Sequence, residues 1–286
     1  MVSFISPAVE ETLVQAEKVI VRSNNGKLAA PMIVPDGPLY VGVDLGTAYL
    51  VVVVLDEHKQ VIAGEYQFAQ VVRDGLVVDF IGATDLLREM KASLEKRLGR
   101  ELTHAASGFP PGVPQAEVKA TAHVVESAGL ICTGLIDEPS AANQVLGIMD
   151  GAIVDVGGGT TGIAIVKNGK VVYTADEATG GTHFSLVIAG SLGISFEEAE
   201  KIKIDPSQQS RLFPLVRPVM EKVGNIVARH VQGKGVKTLT LVGGTTCFPG
   251  IVEVIQEYTG LVTNSPSKPM FVTPIGIAIA SHNYLN

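Results

Sequence analysis

The chain has 286 residues, of which 46% are hydrophobic and 18% charged, with a formal net charge of −7. That length suits two modest domains or one large one, and that apolar content builds a sizeable core and excludes general disorder. The acidic balance excludes a nucleic-acid backbone as the main partner, local basic patches apart.

Residues 1–25 are expected to form a helix, with Val9, Leu13, Ala16, Val19 and Ile20 at helical spacing. It either packs on the body of the protein or docks onto a partner. Asn24-Asn25-Gly26 is expected to stop it, and residues 26–38, rich in proline, read as a linker. The opening residues lack the basic start and apolar stretch of a secretory signal, so a cytoplasmic chain is expected. Three strands follow at Leu39–Gly46, Tyr49–Leu55 and Val61–Phe68, then an extended excursion over Val71–Phe80. Tyr49–Leu55 is the longest apolar run; it falls far short of the ~20 residues of a membrane span, and a soluble protein is expected. A helix over Ala83–Leu98, a strand over His104–Ser107, a helix over Gln115–Ala128, a strand over Leu130–Ile136 and a helix over Ser140–Met149 complete this half.

The pattern then restarts, with strands at Ala152–Val156, Ile163–Val166 and Val171–Ala175. Val41-Gly-Val-Asp-Leu-Gly-Thr47 reappears as Ala152-Ile-Val-Asp-Val-Gly-Gly158, and Asp155 follows Asp44 by 111 positions (155 − 44). Two further strands follow each Asp, as a duplicated domain would leave, and a mixed sheet covered by helices is the natural outcome. Beyond it the spacing predicts helices at Phe196–Lys203 and Val216–Val231, a strand at Thr238–Val242, and helices at Gly250–Thr259 and Ile275–Asn283. Cys132 and Cys247 have no paired spacing and read as small core residues in a reducing compartment rather than a disulfide. The six histidines are scattered, so no zinc site is proposed.

The chemistry concentrates in glycine turns. Asp44-Leu-Gly46-Thr47 and Asp155-Val-Gly157-Gly158-Gly159-Thr160-Thr161 each join two strands in a hairpin. Their glycines allow positive φ and leave space above the backbone, where successive N–H groups can hold phosphate oxygens. A carboxylate beside phosphate needs a cation between them, which implies Mg2+ held partly through water. One such turn is common in sheets; two at matching places of a duplicated fold form a clamp. Gly243-Gly244-Thr245 is a third turn, either an ordinary strand-to-helix loop or a flat seat for adenine or ribose. The spacings of a P-loop, a dinucleotide fingerprint and a hydrolase nucleophile elbow are absent.

These residues resemble the motifs of the actin, DnaK-type chaperone and sugar-kinase superfamily. Asp44–Thr47 resembles its first phosphate motif, Asp155–Thr161 the second, Val242-Gly243-Gly244 the adenosine motif, and Glu138–Ala142 and Pro274–Ala278 the two connectors. Gly180-Gly181 and Ala199–Lys203 resemble the nucleoside borders of MreB and FtsA. Val71–Gly75, Ser107–Gly112, Thr160–Lys167 and Ala175–Gly181 resemble the ethanolamine-utilisation EutJ family.

The resemblance implies an α/β fold of two ribonuclease-H-like (actin-like ATPase) domains, with mixed five-stranded sheets flanked by helices and a nucleotide cleft between them. Domain I would span 39–150 plus the closing helix 274–286, and domain II 151–273. It implies ATP or ADP with Mg2+ held by Asp44 and Asp155. Phosphates would meet Gly46, Thr47, Gly157, Gly158, Gly159 and Thr160, and the nucleoside Gly181, Glu200, Lys203, Gly243 and Gly244. Glu138, with Thr160 or Thr161, would orient the attacking water; Asp155 completes the catalytic group. Glu138 precedes Pro139 at a hinge, or serves as a charge at a helix N-terminus.

Cytoplasmic, chaperone-like work beside a bacterial microcompartment is also implied, on a protein partner: ethanolamine ammonia-lyase, its reactivating factor or a shell protein, with no nucleic acid and no membrane. The other readings are a nucleotide-gated scaffold or filament former and, less favoured for so short a chain, a small-molecule kinase. Thr182-His183-Phe184 stands where relatives often have an acid, no lysine matches the catalytic one of DnaK, and the stretch from Ile204 to Thr238 is too short for a large outer subdomain. Slow or absent hydrolysis is the expectation these departures carry.

Overall fold

The structure, a computed structural model, describes residues 5–23, 34, 36–73 and 75–285. The Asn24-Asn25-Gly26 stop and most of the expected linker lie outside the described residues. Two compact units emerge: Ile5–Gly147 with Phe271–Asn286, and Ile148–Met270.

The first unit runs α1 (Pro7–Val19), β1 (Ile20–Arg22), β2 (Tyr40–Leu45), β3 (Tyr49–Leu55), β4 (Val61–Phe68), the short pair β5 (Val72–Arg73) and β6 (Leu76–Val77), α2 (Phe80–Leu98), β7 (His104–Phe109), α3 (Gln115–Ser127), β8 (Ile131–Asp137) and α4 (Glu138–Leu146). The second unit runs β9 (Gly151–Val156), β10 (Thr161–Lys167), β11 (Lys170–Glu177), α5 (Gly181–Leu192), α6 (Phe196–Lys203), α7 (Pro206–Val231), β12 (Thr238–Val242), a short 3-10 helix (Gly244–Cys247), α8 (Ile251–Thr259) and β13 (Val262–Asn264). Helix α9 (Val272–Leu285) returns to the first unit.

The sheets have one topology. In the first unit the order is β1-β4-β3-β2-β7-β8, and in the second β11-β10-β9-β12-β13. In each, the Asp-bearing strand pairs antiparallel with the next strand and parallel with a later one: β2 with β3 and β7, β9 with β10 and β12. Such mixed sheets need cover on their faces. Val43, Leu87, Met90 and Leu94 lie in the first core; Val154, Val216, Met220, Val223 and Val227 lie in the second.

The first sheet has six strands where five were expected. The N-terminal helix stops at Val19, and the chain turns directly into β1, which pairs in parallel with β4. Leu13 and Ala16 of α1 are fully buried. Gly64 leaves room for Ile20, since a Cβ there would stand 2.8 Å from the Ile20 side chain. Buried Arg97 of α2 donates to Val19 O at 2.8 Å and to Gly64 O at 3.3 Å, latching helix, strand and sheet together. Arg97→Met should therefore cost about 2 kcal/mol, by stranding two buried carbonyls. Amide exchange at Ser23, whose N–H donates to Tyr66 O, should rise more than exchange in β2.

Helix α7 begins at Pro206, ten residues before the expected Val216, with Asp205 accepting from Ser207 N as its cap. It carries Pro214 and Pro218 in its interior, both exposed. Helix α4 ends at Leu146 because Gly147 adopts φ +61°, a left-handed cap. Cys132 is half-buried and packs against the first core as expected, whereas Cys247 is exposed rather than a core residue. Among the described residues no helix is long and apolar enough to cross a membrane.

Candidate functional site

The two Asp hairpins match bond for bond. Asp44 stands opposite Val51 and Leu45 opposite Leu50; Asp155 stands opposite Gly162 and Val156 opposite Thr161. Gly46 N donates to Tyr49 O at 3.1 Å, and Gly157 N donates to Thr160 O at 3.0 Å. Glycine serves a different purpose here from the positive φ expected of it. Gly46 and Gly157 are absent from the positive-φ set, and Gly46 is small because a Cβ would stand 2.7 Å from Tyr49 O. Each turn is tight because its closing bond spans three residues, and that bond leaves the intervening amides of Thr47 and Ala48, or Gly158 and Gly159, outside the strand ladder.

In the first unit, β2, β7 and β8 run parallel and end together. Ser107 donates from its hydroxyl to Val43 O at 2.9 Å, fixing β7 against β2 just before Asp44. Glu138 opens α4 immediately after β8, and its Cγ would lie 3.6 Å from a Cβ at Gly108, next along β7 from Ser107. The Asp137 carboxylate caps α4 by accepting from Ser140 N at 3.0 Å. This arrangement gathers Asp44, Gly46, Thr47 and Glu138 at the carboxyl ends of the strands, where α/β sheets bind ligands.

In the second unit three glycine segments converge, Gly157–Gly159, Gly180-Gly181 and Gly243-Gly244. Gly181 N, at the start of α5, donates to Gly157 O at 3.0 Å, and Thr182 N donates to Gly158 O at 2.7 Å. The Thr245 hydroxyl also donates to Gly157 O, at 2.7 Å. A Cβ at Gly180 would stand 2.6 Å from Gly157 O, and one at Gly181 would overlap the Thr245 hydroxyl. Gly243, at φ +90°, is the left-handed position of the site, and a Cβ there would overlap the buried Asp155 carboxylate. Asp155, Gly157, Gly158, Gly181, Gly243 and Gly244 are thus held within one backbone knot. Gly159 and Thr160 complete its hairpin.

Glu200 and Lys203 of α6 flank this knot, with side chains only 8% and 13% exposed. Lys203 Nζ donates to Glu200 Oε1 at 2.5 Å, to Ser185 Oγ at 2.9 Å and to Gly181 O at 3.1 Å. Ser185 also donates to Glu200 in a short hydrogen bond. Burial pushes the Lys203 ammonium below the ordinary lysine range, against the pull of Glu200. Glu200 Oε2 is buried without a hydrogen-bond partner, a strong acceptor on the residue that Lys203 links to Gly181 O.

Thr161, expected near an attacking water, is fully buried, and its hydroxyl donates to Thr179 O at 2.6 Å. Its hydroxyl hydrogen is spent on a backbone tie. Thr245, Ser185 and Thr179 were not expected as participants; the Gly243-Gly244-Thr245 string was the signal that could have pointed to Thr245. His183 fills the place of the expected acid, its Nδ1 accepting from Gly180 N at 3.3 Å to cap α5.

Comparison with known proteins gives a consistent picture. A family model described as MreB/Mbl protein matches residues 62–210, and one described as cell division protein FtsA matches residues 152–276. The ethanolamine utilization protein EutJ of Escherichia coli (strain K12) is 45% identical over 244 residues, which is 85% of this chain and 86% of that protein. A chaperone protein HscA homolog of Pseudomonas aeruginosa (strain LESB58) is 28% identical over 246 residues, 69% of this chain and 39% of the relative. Among solved structures, EutJ from Carboxydothermus hydrogenoformans superposes with a TM-score of 0.86 at 45% identity, covering 95% of this chain and 98% of that one. MreB 5 of Spiroplasma citri, bound to AMPPNP, superposes at 0.66 with 18% identity, covering 86% of this chain and 96% of that one; this likeness is one of fold.

Proposed function

Because the chain belongs to the EutJ family of actin-like ATPases, we propose that it binds an adenine nucleotide with Mg2+, hydrolyses it slowly, and alters its hold on a protein partner of ethanolamine utilisation. The observation that carries this reading is the Asp-led glycine hairpin, built identically in both units and knotted to two further glycine turns in the second. The residues fit the group. Free turn amides suit phosphate oxygens, Asp44 and Asp155 suit a water-bridged Mg2+, and the unpartnered Glu200 Oε2 suits a ribose hydroxyl. Gly244, where a Cβ would meet nothing within 4 Å, leaves open backbone for the nucleoside, and the close packing of Gly181 on Thr245 and of Gly243 on Asp155 holds that backbone in place.

Each side chain then has a definite task. Thr47 and Thr160 donate hydroxyl hydrogens to phosphate oxygens beside Gly46, Gly157, Gly158 and Gly159. Glu138, an acceptor at the start of α4, orients a water and takes up its proton. Lys203 holds Glu200 in place and compensates its charge. Bound nucleotide and Mg2+ supply a transferable phosphoryl group whose charge is already partly neutralised. The tie-up of Thr161 thins the water-orienting group and favours slow turnover; the reading next in line is a nucleotide-gated scaffold or filament.

The partner fits an enzyme or assembly of the ethanolamine pathway: ethanolamine ammonia-lyase, its reactivating factor, or a microcompartment shell protein. The likeness to HscA supports a chaperone-like role.

Thermal unfolding with Mg-ATP, Mg-ADP and Mg-GTP tests the reading. A ligand at 100 times its Kd stabilises by ~2.7 kcal/mol. That should raise the midpoint by roughly 5–10 °C. The rise should appear with adenine nucleotides and vanish in Asp155→Ala; no rise with any nucleotide refutes nucleotide binding.

A further inference from the structure

The second unit carries a cluster outside the nucleotide residues. Tyr173 and Glu177 lie on β11, and Arg229 and His230 on the last turn of α7. Glu177 Oε1 accepts from Arg229 Nη2 at 2.7 Å and lies 2.9 Å from His230 Nε2. The other imidazole nitrogen, Nδ1, lies 2.7 Å from the Tyr173 hydroxyl, and Lys234 Nζ sits 4.2 Å above the Tyr173 ring. An ionised carboxylate only accepts, so Nε2 carries a proton, and a neutral imidazole takes the Tyr173 hydrogen at Nδ1. The His230 hydrogen bond, aided by Arg229 and opposed by burial, holds the Glu177 carboxyl below the usual range.

A surface ion pair alone would be worth little. Position makes this one different. Glu177 stands opposite Thr161, the first residue after the Gly157–Thr160 turn. From there a chain of hydrogen bonds runs toward that turn. Thr179 N donates to Glu177 O at 2.6 Å, and Thr179 O accepts the Thr161 hydroxyl at 2.6 Å. Two residues later, Gly181 N and Thr182 N donate to Gly157 O and Gly158 O. The segment 177–182 is thus anchored at one end by α7 and at the other by the phosphate hairpin.

We infer that Glu177 is a positioning residue for the hairpin Gly157–Thr160: its anchorage to His230 and Arg229 sets how firmly the Gly181 and Thr182 amides hold that turn, and through it the affinity for a nucleoside polyphosphate. The affinity half of this rests on the nucleotide-binding reading above; the ordering half stands without it.

The experiment is amide hydrogen exchange on the full chain without ligand, for the wild type, Glu177→Ala, Glu177→Gln and Tyr173→Phe, followed by calorimetric titration with Mg-ATP. In Glu177→Ala, exchange at Gly181 and Thr182 should speed up by about tenfold, while Ile153 and Val154 of β9 stay protected. Glu177→Gln, which keeps an acceptor, should stay within about threefold of the wild type. Tyr173→Phe, which removes only the outermost link, should stay closer still. Mg-ATP affinity should fall about tenfold in Glu177→Ala and recover in Glu177→Gln. Unchanged exchange at Gly181 and Thr182 overturns the inference, and so does a uniform rise that includes β9, which would mean general loosening. If the wild type binds no Mg-ATP, the nucleotide reading fails by itself and the exchange pattern still decides the role of Glu177.

Discussion

Gly276→Ala is expected to cost the first unit about 3 kcal/mol, at the upper end of overpacking penalties. That corresponds to a midpoint lowered by roughly 6–12 °C for a unit of this size. Gly276 lies in α9, and a Cβ there would overlap the carbonyl of Ala141 in α4, a backbone atom with no rotamer to escape into. Helix α9 is fixed from behind as well. Gly42 of β2 has α9 so close that its Cβ would overlap Ala278 N and stand 2.8 Å from Pro274 O. The helix cannot slide outward at one contact without losing the other. Scanning calorimetry should show a lowered transition; an unchanged one would mean that α4 and α9 separate freely. Gly190 is the matched control, since a Cβ there meets nothing within 4 Å.

Lys203→Met should be costlier still, about 3–5 kcal/mol, because it leaves a buried carboxylate without its cation. Among the described residues Ser185 is the donor left to Glu200 once Lys203 is gone, and its second oxygen already lacks a partner. The loss comes from the stranded charge, so a second change should repair it. In Lys203→Met/Glu200→Gln most of the stability should return, measured by urea unfolding, while affinity for Mg-ATP stays low. A double variant as unstable as the single one would show that Lys203 matters through its hydrogen bonds to Gly181 O and Ser185 rather than through charge.

What the sequence disclosed follows from what is local. An Asp two residues before a Gly between apolar strands writes its hairpin in consecutive letters, so Asp44 and Asp155 and their shared topology were legible. Val216, Val219, Met220, Val223, Ile226 and Val227 announced the buried face of α7 by spacing alone. The first half of that helix was hidden by Pro214 and Pro218, residues that normally disfavour helix interiors and here face solvent. Strand β1 was hidden for the opposite reason: Val19 and Ile20 continue the helical spacing, and only the room at Gly64 and the Arg97 guanidinium turn them into a strand. At the site, Thr245 and Ser185 act on residues 88 and 15 positions away. No periodicity reports such pairs. Thr161 looked like a site hydroxyl because its neighbours are; burial under Thr179 is a tertiary fact.

The three residues of β1 also determine where the first sheet ends. A sheet margin with open N–H and C=O groups is a template for any passing strand, and proteins blunt it with short segments, charge or cover. On the β4 side that cover is β1, which ends in exposed Arg22 and lies beneath the N-terminal helix. At the margin of the second sheet, β11 does the same with its own side chains, from exposed Lys170 to the tethered Glu177. Strand β1 thus keeps β4, an eight-residue strand, from recruiting a neighbour and starting an aggregate.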